Sequence, residues 1–461
     1  MIKFLSAYFP SRTVILGVSE AALIALAFVC ASVARLGATD ASVMLSDEQG
    51  LLKIIVVASA FVLCMYYYDL YDSSVLSNRR EMLTRVIQVV GTVCLLSAVI
   101  YYVYPPLELG RGIFLIGLSF VAVILLLCRK LFIAINRLPR LAERALLYGD
   151  GSLAALLASE VASRPELGLR IVSQVPILPN GDYGLDPETP NELLFRAVSI
   201  HRPSRIFVVL DDRRGKLPVE PLLKLKSHGV RIQDGTEVYE AITGKVPIES
   251  IRLGSLLFSP GFCISRFLLL YKRLASILIS IAGLLVSLPL LPLIALAIKL
   301  TSPGTVFYEQ ERLGIEGKAF HCYKFRTMRA DAEADSGPTW AGDEDPRITS
   351  LGRFLRICRL DEIPQLWNVL KGDMSLVGPR PERPEFVESL NHEIPYYHLR
   401  HTIRPGITGW AQICYKYGGS VDDAKEKLRY DLYYIKNMSP GLDVLILFRT
   451  VKTILLGLGA R

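Results

Sequence analysis

Residues 274–300 read LASILISIAGLLVSLPLLPLIALAIKL. The stretch is uncharged until Lys299 and longer than the ~20 residues that a helix needs to cross ~30 Å of hydrocarbon. It also holds Pro289 and Pro292. A proline inside a helix removes a hydrogen bond and kinks the axis. Lys272 and Arg273 precede the run and Lys299 closes it, so basic residues stand on both flanks and charge asymmetry selects no crossing. A spanning helix would put everything after residue 300 outside the cell. A helix that enters, breaks near Pro289 and returns would keep it in the cytoplasm. The chemistry downstream has to decide between the two.

Upstream, four further apolar runs, roughly Val14–Val33, Leu51–Tyr68, Val86–Tyr104 and Gly112–Ile135, each approach membrane-spanning length. Tyrosines 66–68, 101, 102 and 104 sit at run ends, where an aromatic belt belongs. Arg79, Arg80 and Arg85 follow the second run, and Arg129, Lys130, Arg137, Arg140 and Arg144 follow or close the fourth. The loops after the first and third carry one arginine each, Arg35 and Arg111. The positive-inside rule then places both ends of this bundle in the cytoplasm. Glu20 and Lys53 fall in or beside spans and read as charges facing the bundle interior or snorkelling to the interface.

Composition agrees with a membrane protein. Of 461 residues, 51% are hydrophobic, and the mean hydropathy is +0.36. The net charge of +8 fits anionic headgroups. No segment forms a nucleic-acid-binding module, so nucleic acid is excluded as a partner. The eight cysteines form no C-x-x-C pair, which argues against zinc or a disulfide framework. The first apolar run contains Glu20 and is followed by more spans, unlike a cleaved signal peptide.

From Arg144 to Ile251 the chain turns polar. Ala145–Tyr148, Ile206–Leu210 and Val230–Gln233 are strand candidates, and Leu153–Ala162 is helical in pattern. Strands alternating with helices predict a parallel sheet. Gly149-Asp150-Gly151 after the first strand is compatible with a dinucleotide loop, but Ala154 stands where a third glycine belongs, so a tight turn in a Rossmann-like module is the preferred reading.

Between Gly304 and Gly409 the polar residues are set in short patterns: Tyr323–Met328, Arg356–Glu362, Lys371–Pro381 and Arg404–Trp410. Pro364 is tolerated only in a helix's first turn, which puts Asp361 near an N-cap and Glu362 just inside a helix running to about Leu370. Free N–H groups there would keep Asp361 ionised and favour phosphate. An ionised carboxylate beside a phosphate site can act as nucleophile, and the neighbouring carboxylate can move a proton or hold a metal. Taken alone, Asp-Glu reads as an ordinary cap. Arg326, Arg356, Arg359, Arg380 and Arg404 change that reading, because guanidinium clusters suit diphosphate. Pro379 and Pro381 fix the backbone around Arg380. Leu442–Leu458 fits an interfacial helix and a buried terminal helix equally.

Several of these strings, in this order, resemble the bacterial sugar transferase family, the monotopic polyprenyl-phosphate sugar-1-phosphate transferases. They are Tyr323–Met328, Leu360-Asp361-Glu362, Asn368–Ser375, Val377–Pro381 and Pro405–Gln412, and the likeness extends from about Phe267 to Arg461. The four spans and the middle region resemble the long exopolysaccharide-initiating members, and Leu428–Asn437 those of exosortase-linked systems. The resemblance implies that Asp361 attacks the β-phosphate of a UDP-sugar, carries a covalent phosphosugar and releases UMP. Undecaprenyl phosphate would be the acceptor and Mg²⁺ the cofactor, with Asp361 its ligand. Glu362 would be the acid/base or metal partner. Arg356 and Arg380 would hold phosphates, and Lys324 and Arg326 would line the nucleotide side. Pro289 would break a re-entrant helix over about 270–300. The family often has Ser-Pro at this break and Asn-Gly after the glutamine, where this chain has Leu288-Pro289 and Ile413-Cys414-Tyr415, so the sugar is not assigned.

The expected architecture is a membrane protein of the α plus α/β class: a four-helix transmembrane bundle over 1–140, a Rossmann-like cytoplasmic α/β module over 141–255, and a mainly helical catalytic domain over 262–461 on the cytoplasmic face of the bacterial inner membrane. Membrane lipids surround it, and dimerisation is left open. The expected activity is the first membrane step of exopolysaccharide synthesis. Two readings compete with it. One is a membrane-tethered nucleotide-binding scaffold or sensor for polysaccharide assembly. The other is a dolichol-type multi-span transferase, against which the motifs clustered after one broken helix argue.

Overall fold

Apolar periodicity and capping chemistry account for most elements of the computed structural model. It describes residues 11–47, 49–72, 75, 78–138, 141–176, 190–210, 217–250, 262, 264–329, 332, 345–415 and 418–455. Arg140, Cys263, the boundary expected near 255–262 and the last residues of the Leu442–Leu458 run lie outside these. Two compact units result, Met1–Thr243 and Gly244–Arg461.

The first unit begins with helices α1 (Ser11–Leu36), α2 (Ala38–Ser46), α3 (Gly50–Tyr67), α4 (Arg79–Val103) and α5 (Arg111–Arg137). Asn78 caps α4 by accepting from the Arg80 and Glu81 amides. Ile24, Phe28, Phe61, Met65, Val89, Val93, Val121 and Leu125 meet in the interior, while Ile15, Val18, Ile87, Leu95, Val99, Leu115 and Val123 face outward uncovered. Helices apolar on every side suit lipid rather than water. Among the described residues, five helices are long and apolar enough to cross a membrane: four of these and a fifth over Arg266–Ser287. Glu20 points inward, fully buried, and pairs with Arg129 at 3.1 Å. Arg129, counted in the sequence as a loop flank, is instead fully buried in the bundle, over the Tyr71 ring and donating to the Leu70 carbonyl. Each charge makes the other tolerable where water is absent. Lys53 is half-buried near the start of α3.

The same unit continues through β1 (Glu143–Tyr148), α6 (Ser152–Ser163), β2 (Leu169–Val175), α7 (Pro190–His201), β3 (Arg205–Val208), α8 (Val219–Ser227), β4 (Arg231–Asp234) and α9 (Gly235–Thr243). The strands form a parallel sheet in the order β2-β1-β3-β4. Ala145 and Leu147 pack with α6 and α9 on one face, and Leu146 and Tyr148 pack with α7 and α8 on the other. Burial on both faces explains why β1 reads as an unbroken apolar run. β2, at the sheet edge with Arg170, Ser173 and Gln174, carries no such run and escaped the sequence reading. Gly149 has φ 120°, and a Cβ there would lie 2.6 Å from the Val209 carbonyl oxygen, so the glycine serves the turn.

The second unit opens with α10 (Arg266–Ser287) and α11 (Leu290–Thr301). The helix breaks at Leu288 and Pro289, and Pro292 falls in the first turn of α11, where a missing N–H is harmless. Lys272, Ser276 and Ser280 recur every four residues on the buried face of α10, while Leu274, Leu278, Ile281 and Leu285 are exposed. There follow the antiparallel hairpin β5 (Phe307–Leu313) and β6 (Ala319–Phe325), α12 (Ser350–Ile357), α13 (Gln365–Lys371), β7 (Ser375–Val377), α14 (Pro384–Glu393), β8 (Gly406–Thr408), α15 (Trp410–Cys414), α16 (Val421–Lys436) and α17 (Pro440–Leu455). β7 pairs with β8 in parallel.

Both arms of the broken helix rest on this body. In α10, Arg273 donates to the Leu370 carbonyl at 2.8 Å, and Lys272 to the Val377 carbonyl at 3.2 Å and Asp443 at 2.8 Å. In α11, Ile294 and Ile298 join Phe325 and Leu355 in one buried cluster. Helix α17 buries Leu442 and Ile446 and leaves Val444, Phe448 and Val451 uncovered, so it has both the packed face and the apolar outer face that the sequence allowed.

Candidate functional site

The site is assembled where β6, α12, α13 and the segment after β7 converge. Thr349 caps α12 by accepting from the Gly352 amide at 2.9 Å. Gly352 approaches the Thr327 backbone so closely that a Cβ would lie 2.0 Å from its carbonyl oxygen. This seats α12 against the Tyr323–Met328 strand end. The chain leaves α12 through Arg359, which has φ 55°, a conformation that costs a non-glycine residue about 1 kcal/mol or more and concentrates at functional sites. It then makes a 3-10 turn over Leu360–Glu362.

This turn corrects the expected N-cap. Asp361 lies three residues ahead of Pro364, which itself occupies the N-cap of α13. A proline's missing N–H is tolerated at the cap as well as in the first turn, and here the regular helix starts just after Pro364. The charge around Asp361 therefore comes from side chains rather than from a helix end.

Asp361 and Glu362 are both buried. Glu362 Oε1 receives Lys324 Nζ at 2.9 Å and Arg380 Nη2 at 3.1 Å, with Arg359 Nη1 at 3.8 Å. Burial opposes its ionisation, but Lys324, Arg380 and Arg359 outweigh it and hold the carboxyl well below the usual carboxylate range. Asp361 moves the other way. Burial raises its pKa and the adjacent Glu362 charge adds to that, against the pull of Lys324, Arg356 and Arg359. Asp361 Oδ1 is buried and has no hydrogen-bond partner. An acceptor in that condition calls for a missing group.

The sequence-predicted residues divide here. Lys324, Arg359, Arg380, Asp361 and Glu362 come together, and Arg356, donating to Thr327 Oγ1 at 2.9 Å, lies near enough to act on Asp361. Arg326 is buried on Ser302, donating to its carbonyl at 2.8 Å and hydroxyl at 2.9 Å, beyond the end of α11. Arg404 donates to the Gly372 carbonyl at 3.0 Å. Both guanidiniums hold backbone in this arrangement.

The sequence reading quoted Asn368 only as the first residue of a family string and gave it no role. It is fully buried, accepts from the Tyr323 amide at 3.0 Å and donates to the His321 carbonyl at 2.7 Å, pinning β6 to α13 beside the carboxylates. The sequence signals are its place at the head of that string and a polar residue between Trp367 and Val369.

Asp361 is the carboxylate here that could hold a magnesium ion. Among the described residues no three His, Cys, Asp or Glu side chains form a metal cage. Magnesium uses one or two carboxylates plus phosphate oxygens and water, and the unpartnered Asp361 Oδ1 is such a donor.

Comparison with known proteins matches this region as a whole. Residues 267–457 match the family described as bacterial sugar transferase. The chain is 46% identical over 228 residues to a UDP-N-acetylgalactosamine-undecaprenyl-phosphate N-acetylgalactosaminephosphotransferase of Aeromonas hydrophila, covering 49% of this chain and 52% of that protein. It is 33% identical over 387 residues to an undecaprenyl-phosphate glucose phosphotransferase of Komagataeibacter xylinus, covering 77% of this chain and 71% of that one. An exopolysaccharide production protein of Rhizobium leguminosarum is 45% identical over 188 residues, 40% of this chain and 94% of that protein. The match thus spans about half the Aeromonas relative but more than two thirds of the other two. With the ordered motifs, the apolar helices and these relatives together, the chain belongs to the bacterial sugar transferase family.

Proposed function

We propose that the chain transfers a sugar-1-phosphate from a UDP-sugar to undecaprenyl phosphate, releasing UMP, as an initiating step of exopolysaccharide synthesis. The observation that carries this reading is the unpartnered, buried Asp361 Oδ1, with Lys324, Arg356 and Arg359 acting on it and Arg380 paired to the adjacent Glu362. The relatives' names divide between N-acetylgalactosamine and glucose, so the proposal concerns the phosphoryl centre they share.

In the first step a carboxylate oxygen of Asp361 forms a bond to the sugar-bearing phosphorus, and the bond to the UMP phosphate oxygen breaks, that oxygen keeping the electron pair. In the second an oxygen of the lipid phosphate forms the new bond to phosphorus and the Asp361 carboxylate leaves. The cations offset the negative charge that gathers on the phosphoryl oxygens in both steps. Glu362, ionised and ringed by three cations, collects and aims them more readily than it exchanges a proton near neutral pH. A magnesium ion held by Asp361 would supply further positive charge to the phosphoryl centre when bound.

In this reading α1, α3, α4 and α5 cross the membrane, the parallel-sheet region is a Rossmann-like cytoplasmic module, and α10 and α11 form a re-entrant hairpin. Support for the hairpin is that both arms pack on the body that holds Asp361. The site would then lie at the cytoplasmic face, within reach of a soluble nucleotide sugar and a lipid phosphate. UMP release from a panel of UDP-sugars, with undecaprenyl phosphate present, tests the proposal. Turnover surviving in Asp361→Asn would remove the mechanism.

A further inference from the structure

Arg380 is held at both ends. Its guanidinium donates to Glu362 Oε1 at 3.1 Å, and its backbone carbonyl accepts from Arg400 Nη2 at 3.0 Å. The segment around it has two prolines, Pro379 and Pro381, and so lacks two amides with which to join a strand. Its carbonyls do the anchoring instead. Pro379 O accepts from the Gly406 amide at 2.9 Å, Pro381 O from Arg312 Nη1 at 3.1 Å, and Glu382 O from the Leu313 amide at 3.0 Å. Arg380 O alone in this set is met by a buried charge.

That charge is itself carefully held. Arg400, 5% exposed, lies in the 3-10 helix Tyr397–Thr402, and Asp431, 2% exposed, lies inside α16. Arg400 Nη2 carries two protons. One goes to Asp431 Oδ2 at 2.9 Å and the other to the Arg380 carbonyl. Arg400 Nη1 donates to the Tyr397 hydroxyl at 2.6 Å. Burying an ion pair gains little stability over a well-packed apolar pair of the same volume. An apolar pair, however, could not donate to a carbonyl.

We propose that Arg400 and Asp431 are positioning residues for the transfer reaction: together they fix the Arg380 backbone and so aim its guanidinium at the Asp361–Glu362 carboxylates and the phosphoryl group between substrates. The proposal rests on the reading of the site as a phosphoryl-transfer centre.

The experiment is a double-mutant cycle on the full chain in detergent or nanodiscs, measuring UMP release. Asp431→Asn and Arg400→Lys are expected to lower kcat about 10–100-fold, as small misplacements of a catalytic group do, with little change in KM. In an Arg380→Ala background the same changes should cost less than about 3-fold, because no guanidinium remains to be aimed. Losses that multiply in full would overturn the proposal. Tyr397→Phe, which removes only the hydroxyl on Arg400, carries the same cycle if Asp431→Asn does not fold. Hydrogen exchange at the Gly378, Arg380, Glu382 and Arg383 amides, read independently of turnover, should quicken in the variants while α16 stays protected. Unchanged exchange there overturns the proposal even if no UDP-sugar is turned over, an outcome that would separately end the transferase reading.

Discussion

Replacing Glu362 by Gln removes one negative charge from the point where three cations meet. Lys324, Arg380 and Arg359 lie 2.9, 3.1 and 3.8 Å from the same oxygen. At an effective dielectric of about 20, each contact is worth roughly 4–6 kcal/mol of gross attraction, most of it offset by desolvation. Removing one partner from a buried ionic cluster costs about 3–5 kcal/mol net. Glutamine keeps the shape and one acceptor oxygen, so the lower end applies, about 3 kcal/mol, which for a unit of this size lowers the melting temperature by about 6–12 °C. Asp361 responds in the opposite sense. Burial raises its pKa, the Glu362 charge raises it further, and the cations lower it. Deleting Glu362 removes one raising influence and leaves the cations less compensated, so Asp361 should ionise at lower pH. The acid limb of the UMP-release profile should shift toward acid in Glu362→Gln, alongside the lower melting temperature. An unchanged melting temperature with a limb that stays or moves toward neutral would refute the claim that Glu362 organises the cations. A proton-transfer role predicts instead that one limb disappears.

Asp361→Asn should abolish turnover yet melt higher than the parent at pH 7. The native pKa of Asp361 is raised, so its favourable contribution is present below the unfolded value near 3.9 and is lost as pH rises through the native one. The difference in melting temperature should therefore vanish near pH 4, and a variant less stable at pH 7 would contradict the burial argument. Arg129→Met leaves Glu20 buried without its partner and should cost about 3–5 kcal/mol in thermal or denaturant unfolding, whereas Glu20→Leu combined with Arg129→Met should recover most of it. Chelation with EDTA should stop UMP release, and added Mg²⁺ should restore it, without moving the melting temperature of the substrate-free protein, because no carboxylate cage is preformed among the described residues.

Much of the fold was legible because it is local. The apolar runs at Val14–Val33, Leu51–Tyr68, Val86–Tyr104 and Gly112–Ile135 fall in helices α1, α3, α4 and α5, and none overruns its helix by more than one residue. The break expected near Pro289 falls at Leu288 and Pro289, since a missing N–H acts within one turn whatever surrounds it. Edge strand β2 was missed because its solvent side breaks the apolar run that marks a strand buried on both faces. The N-cap reading of Asp361 failed by three residues, because a proline permits either the first helical turn or the cap before it.

The candidate site was legible as a set of motifs and not as a geometry. The strings around Lys324, Asp361, Glu362 and Arg380 identify the family from residue type and order alone. Which guanidinium faces the carboxylates was decided by tertiary structure. Arg326 and Arg404 have the same chemistry as Arg359 and Arg380, yet their backbones aim them at the Ser302 and Gly372 carbonyls. Arg129 looked like a loop charge until Glu20, far away in sequence, was packed against it. Arg400 fell in no motif, and Asp431 lay inside the Leu428–Asn437 stretch without a role of its own. Hydrophobic period, proline and charge act along the chain and can be read there, whereas the partner of a buried polar atom is supplied by whichever distant segment the core brings within 3 Å.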